Sequence, residues 1–166
     1  LRSDNPVIVV TAVELFLHWT SPHPNLRKEV LKLIQPSFCQ IFISTSSEMC
    51  FLLAEFLLTL GESTKEVFSP HHRYFKLKPS DPAYLKIKKI QVLGVLAVEE
   101  NVEEIISEVH PYCSDFDSYE CAFNCLATLG KISYSSQQKI FSLSSEFLEC
   151  SSDKLVTAAL NCVLIV

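Results

Sequence analysis

Three groupings in this 166-residue chain combine residue types and spacings suited to chemistry. Cys121 and Cys125 stand four apart, which sets both thiols on one helical face, a spacing able to supply two metal ligands. No second Cys/His pair stands at a suitable distance, and Phe123, Leu126 and Leu129 surround them, so core packing is the expected role. His71-His72, between Pro70 and Arg73, suggests metal or pH-sensing chemistry, because histidine titrates near neutral pH. Adjacent helical residues diverge by about 100° and rarely chelate together, so a solvated turn is expected there. His110 precedes Cys113 by three residues, the nearest approach to the imidazole–thiolate pair that nucleophilic catalysis requires. Pro111 separates them, and no paired-carboxylate, P-loop, dinucleotide or kinase motif is present. The sequence therefore predicts no catalytic residue, no cofactor and no metal.

The remaining grouping is basic. Arg73, Lys76, Lys78, Lys86, Lys88 and Lys89 are six of the fourteen Lys and Arg residues, and Asp81 is the one acid among them. Such a cluster suits a partner or an anionic membrane surface, gaining about 1 kcal/mol per basic residue near a charged bilayer. The competing expectation is a solvated helix face balanced by Glu99, Glu100, Glu103, Glu104 and Glu108, whose carboxylates favour the positive end of the following helix.

The elements that must position these groups are helical. Only three glycines occur, too few for hairpin-rich β architecture or phosphate-cradling loops. The net charge of −5 gives no reason to expect nucleic acid as the main partner. No apolar run reaches the roughly 18 residues of a membrane span, since Glu55 interrupts Phe51–Leu60. Seven scattered cysteines read as reduced core thiols of an intracellular protein. With no signal peptide, a first residue Leu1 and an apolar pattern running to Val166, the sequence reads as part of a longer chain.

Helix-start signals recur. Asn5-Pro6 precedes Val9, Ala12, Val13 and Phe16; Thr45 with Glu48 forms a capping box before Met49, Leu52, Leu53 and Phe56, with Gly61 as a natural stop. Asp81 as N-cap with Pro82 opens a helix carrying Ile87, Ile90, Leu93 and Ala97, with Lys86 and Lys89 off that stripe. Asn101 with Glu104, Asp117 with Glu120, Ser135 with Gln138, and Asp153 mark further starts. From Pro6 to Glu48, Pro82, Ser118 and Lys154 the steps are 42, 34, 36 and 36 residues. Partner helices lie between them: Leu26 to Ile43 interrupted at Pro36, Val102 to Val109, and Ser136 to Glu149. Glu62 to Lys78 reads as short helical turns leading into an extended Tyr74–Leu77, leaving that unit without a clear partner helix. Trp19 is expected in the core or between repeats. Gly94 and Gly130 inside helices, each costing about 1 kcal/mol against alanine, imply close helix crossings. The prediction is all-α: one α-solenoid segment of HEAT/armadillo-like repeats over 1–166, with units near 5–44, 45–80, 81–115, 116–150 and a partial 151–166.

The segment SDPAYLKIKKIQVLGVLAVEENVEEIISEVHPYC resembles a stretch of the N-terminal trunk of the β-adaptins, the large β subunits of heterotetrameric vesicle-coat adaptor complexes. It has their aromatic-rich lead-in, Asp-Pro, Lys-bearing helix, Asn-capped helix and aromatic residue before a polar turn. DFDSYECAFNCLATLGKIS continues the likeness with an acidic turn, an Ala-rich helix and Gly130. NPVIVVTAVELFLHW and SSEMCFLLAEFLLTL fall in register more loosely, and Gly130-Lys131-Ile132 departs from the family's common Arg-Cys after the glycine. The resemblance implies a non-catalytic scaffold acting in vesicle-mediated protein transport. It would pair with a second large chain, a medium chain and a small chain, and help receive a small GTPase at an anionic membrane surface. The implied location is cytoplasmic, peripheral on Golgi, endosomal or plasma-membrane coats. The alternatives are a coatomer or nuclear-transport-receptor type of solenoid and, from another class, a cysteine-dependent enzyme.

Overall fold

The computed structural model describes residues 6–20 and 22–166. Among them the regular structure is helical: α1 Pro6–Trp19, α2 Pro24–Ser44, α3 Ser47–Leu60, α4 Glu62–Phe68, α5 Ala83–Leu96, α6 Val102–Val109, α7 Tyr119–Leu129, α8 Tyr134–Ser145 and α9 Asp153–Ile165. Short 3-10 turns at Ser69–Phe75, His110–Ser114 and Glu146–Glu149 extend α4, α6 and α8. In the first layer α5 packs between α3 and α7, and α9 packs on α7. Behind it, α2 meets α4 and its 3-10 extension, and α6 meets α8. Each helix covers its apolar side with the neighbours before and after it, the arrangement of a helical-repeat solenoid.

The helix starts sit where the periodicity puts them, but the capping chemistry is displaced. Asn5 lies outside the described residues. Ser46, not Thr45, caps α3, accepting from Met49 N–H, while Glu48 is a first-turn acid. Asp81 does not cap α5: Pro82 is the N-cap, and the Asp81 carboxylate accepts from Lys78 N–H at 2.8 Å and Lys89 Nζ at 2.6 Å. The Asn101–Glu104 capping box is absent. The Asn101 amide donates to Ser69 and Leu96 and its Oδ1 accepts from Val98 N–H, so it ties two repeats together instead. Ser118 and Ser152 occupy the N-cap positions expected for Asp117 and Asp153. The capping box of α8 is formed by Ser133 and Ser136, two residues before the predicted Ser135–Gln138.

Two further expectations are corrected. α2 runs unbroken through Pro36, which is exposed: losing one N–H and accommodating one ring does not end a 21-residue helix whose inner side is buried at Leu31, Ile34, Phe38 and Phe42. The second unit does have a partner, since α4 continues directly into Ser69–Phe75 and only Lys76 to Lys78 is irregular. Pro70 and Pro111 each occupy the first turn of a 3-10 segment. Neither can supply the N–H that an α-helix would need there, which favours the tighter helix. Gly61 ends α3 at φ 53°, the positive-φ conformation that glycine adopts without a Cβ penalty.

The core changes character along the stack. Phe38, Phe42, Phe56, Phe68 and Phe75 join α2, α3, α4 and the first 3-10 turn, with ring centroids 4.8 to 6.4 Å apart. Edge-on pairs of this kind contribute about 0.5–1.5 kcal/mol each beyond burial. From α5 onward the filling is mainly aliphatic: Leu85, Ile90, Leu93 and Leu96 of α5 meet Val102, Ile105, Ile106 and Val109 of α6 and Leu126 and Leu129 of α7, with Phe123 against Phe147 the aromatic exception. A close crossing is present at Gly94 inside α5, whereas Gly130 is the C-cap of α7 and meets Val166 after α9. A Cβ on Gly94 would lie 3.2 Å from Cys125 Sγ, and one on Gly130 would lie 2.6 Å from a Val166 methyl. Trp19, expected inside, is 64% exposed and touches Phe16 edge-on.

Candidate interaction surface

The six basic residues are divided among separate ion pairs. Arg73 lies on the 3-10 turn after α4 and grips Glu104 of α6 with a two-pronged fork, Nε to Oε1 at 3.0 Å and Nη2 to Oε2 at 3.0 Å. Lys76 Nζ is 3.7 Å from the same carboxylate, and His72 Nε2 is 3.2 Å from it. The Arg73 hydrogen bonds hold the Glu104 carboxyl below its ordinary range, with partial desolvation opposing and His72 adding to the effect; Glu104 in turn raises Arg73. Lys86 pairs with Asp115 at 3.4 Å and lies over the Tyr112 ring. Lys88 points to the opposite side of α5, pairing with Glu55 of α3 at 2.6 Å over the Phe51 ring.

Lys89 is the clearest departure from expectation. It is 3% exposed, donates to Asp81 and to the Lys76 carbonyl at 3.1 Å, and lies over the Phe42 ring. The exposed side of α5 carries Tyr84 and Gln91, whereas Lys89 faces the 76–82 loop and is covered by it. Its ammonium pins the loop from beneath. Lys78 is exposed, and its ammonium makes no hydrogen bond or ion pair among the described residues. Arg73, Lys76 and Lys78 thus share one exposed edge, whereas Lys86, Lys88 and Lys89 each serve the joints of α5.

The acidic partners belong to the same joints, beyond any role at a helix N-terminus. Glu108 accepts from Leu77 N–H at 3.0 Å, and Glu103 accepts from Ser135 Oγ at 2.9 Å. Arg73–Glu104, Lys86–Asp115 and Ser135–Glu103 link residues 31, 29 and 32 apart, close to one repeat. Basic and acidic residues about thirty positions apart, in either order, were the overlooked signal in the sequence.

The histidines and cysteines singled out in the sequence as chemical candidates are packed into the fold, whereas Cys150 is exposed. His72 is buried rather than solvated, its Nδ1 3.0 Å from the Ser69 carbonyl. Cys121 and Cys125 lean on the Ile87 and Ile90 carbonyls at 3.6 and 3.5 Å, and burial pushes both thiols up. No group of three or more potential metal ligands occurs among the described residues. Cys113 is fully buried, its thiol pushed up to about 12 by desolvation, and His110 stacks on Phe147. Thiolate chemistry needs the reverse, an accessible thiol with a lowered pKa.

Stacked helical pairs joined by ion pairs between successive repeats define a helical-repeat scaffold. Comparison with known proteins narrows the class. No family model matches. The chain is 29% identical to AP-4 complex subunit beta-1 of Mus musculus over 133 residues, which is 79% of this chain and 18% of that protein. It is 24% identical to AP-4 complex subunit beta of Dictyostelium discoideum over 84% of this chain and 17% of that protein. With Beta-adaptin-like protein A of Arabidopsis thaliana it shares 25% identity over 80% of this chain and 16% of that protein. These matches, together with β subunits of AP-1, AP-2 and AP-3 complexes at 24–25% identity, support reading the chain as a β-adaptin family fragment. It spans less than a fifth of the length of these three relatives.

Proposed function

We propose that the chain is a non-catalytic scaffold segment of an adaptor-complex β subunit and acts in vesicle-mediated protein transport. The observation carrying this reading is that similarity to adaptor β subunits runs through 79% of the chain and falls on an unbroken helical stack. The stack divides into units near 5–44, 45–80, 81–115, 116–150 and 151–166. It assembles with a second large chain, a medium chain and a small chain, and meets a small GTPase and an anionic membrane peripherally. No described helix is long and apolar enough to cross a membrane, which accords with peripheral attachment. Linking several weak contacts through one scaffold raises their joint avidity through effective concentration.

The test is immunoprecipitation of the endogenous protein with an antibody raised against this chain, followed by mass spectrometry. A second large, a medium and a small adaptor subunit should be recovered together; a precipitate free of adaptor subunits overturns the reading. For the membrane contact, the informative charge reversal is at Lys78, because Lys76 lies 3.7 Å from the Glu104 carboxylate. Reversal at Lys86, Lys88 or Lys89 would break ion pairs within the fold.

A further inference from the structure

Between the start of α3 and the Arg73–Asp81 loop lies a recess of about 210 Å³. That is below the roughly 300–1,000 Å³ of pockets for drug-sized ligands, so it suits a compact group. Phe42, Ile43 and Leu85 give it apolar surface, and Cys50 is turned to the Phe42 carbonyl at 3.0 Å. Thr45 and Ser47 offer hydroxyls, and the charged lining is Arg73, Lys76, Lys78, Lys89 and Asp81. Lys89 and Asp81 neutralise each other. Arg73 and Lys76 share the single carboxylate of Glu104, leaving about one positive charge in surplus, and Lys78 is uncommitted. Lys78 lines the recess together with Cys50. The surplus of about two positive charges matches the roughly −1.5 to −2 of a phosphate monoester near neutral pH.

We propose that this recess binds a phosphate-monoester group, with Lys78 as its main cation, Arg73 and Lys76 at the rim, and the Thr45 and Ser47 hydroxyls as neutral donors. The geometry is independent of the adaptor reading; only the delivery of the phosphate by a lipid headgroup rests on it.

The test is an amide NMR titration of the chain with inorganic phosphate near neutral pH, ionic strength being held constant with chloride. Saturable shifts are expected at Thr45–Ser47 and Lys76–Asp81. Lys78→Glu should weaken binding about tenfold, with its amide spectrum otherwise folded, whereas Lys139→Glu on α8 should leave it unchanged. Non-saturating shifts, shifts spread over the whole chain, or undiminished binding in Lys78→Glu would overturn the proposal. Sedimentation with phosphatidylcholine vesicles, with and without phosphatidylinositol 4-phosphate, separates the sources. Phosphate-competed capture that needs the phosphorylated lipid assigns a headgroup; saturable phosphate binding without vesicle capture assigns a soluble phosphate ester. Loss of the pocket would leave co-precipitation of adaptor subunits untouched, so the two readings fail separately.

Discussion

A lysine buried against an aromatic ring has to be held by acceptors, and Lys89 has two, the Asp81 carboxylate and the Lys76 carbonyl. Removing one member of a buried ion pair strands the other, which costs about 3–5 kcal/mol, while replacing both costs far less. Lys89→Met should therefore destabilise the chain by about that amount in urea unfolding, and Asp81→Asn added to it should restore most of the loss. Equal destabilisation by the single and double variants would show that packing of the lysine stem dominates. Glu104 behaves differently because it is only half-buried. Its carboxyl is lowered in the folded chain, chiefly by Arg73, so the contribution of this pair is present above the unfolded carboxyl value of 4.5 and is lost as pH falls through the lower folded value. A double-mutant cycle of Arg73→Gln and Glu104→Gln should show coupling near neutral pH that disappears in acid. Coupling that survives full protonation of the carboxyl would contradict the ionic assignment.

Among the elements, α2 tests how much a proline matters when one helix face is well buried. Pro36 is exposed, so Pro36→Ala restores a backbone donor without removing core contacts. Interior proline costs about 3 kcal/mol against alanine, and the freer unfolded chain of the variant returns up to about 1. A net gain of about 2 kcal/mol is expected in denaturant unfolding; a loss would mean that the helix depends on the shape proline imposes. At Gly94 the added methyl of alanine meets Cys125 Sγ at 3.2 Å. Gly94→Ala should thus stabilise more in a Cys125→Ala background than in the native chain, again read from unfolding free energies.

These helices also show where sequence reasoning succeeds. Their existence and order were legible because apolar spacing and start signals reflect burial against a neighbour, which every unit needs. Cap identities were less so, because Asp81 and Asn101 look like caps yet spend their polar atoms on Lys89, Ser69 and Leu96, partners distant in sequence. Of the basic surface, the composition revealed the charge but not its division, since only packing decides that Lys88 meets Glu55 while Lys78 forms no ion pair among the described residues.

For the whole molecule, each repeat is held chiefly by its neighbours, so α5 with partners on both sides should be the last helix to open and α1 among the first. Amide hydrogen exchange should find slowest exchange at α5 and faster exchange at α1; uniform protection along the chain would contradict a neighbour-by-neighbour stack. The same design has a mechanical meaning. Pairs such as Arg73–Glu104 and Lys139–Glu103 bridge adjacent repeats at their solvent-facing rim, where salt screens charge within about 10 Å at 0.1 M. Bending the stack stretches these rim contacts while the apolar interior remains closed. On that geometry the edge of the stack is expected to soften with ionic strength before any helix comes apart.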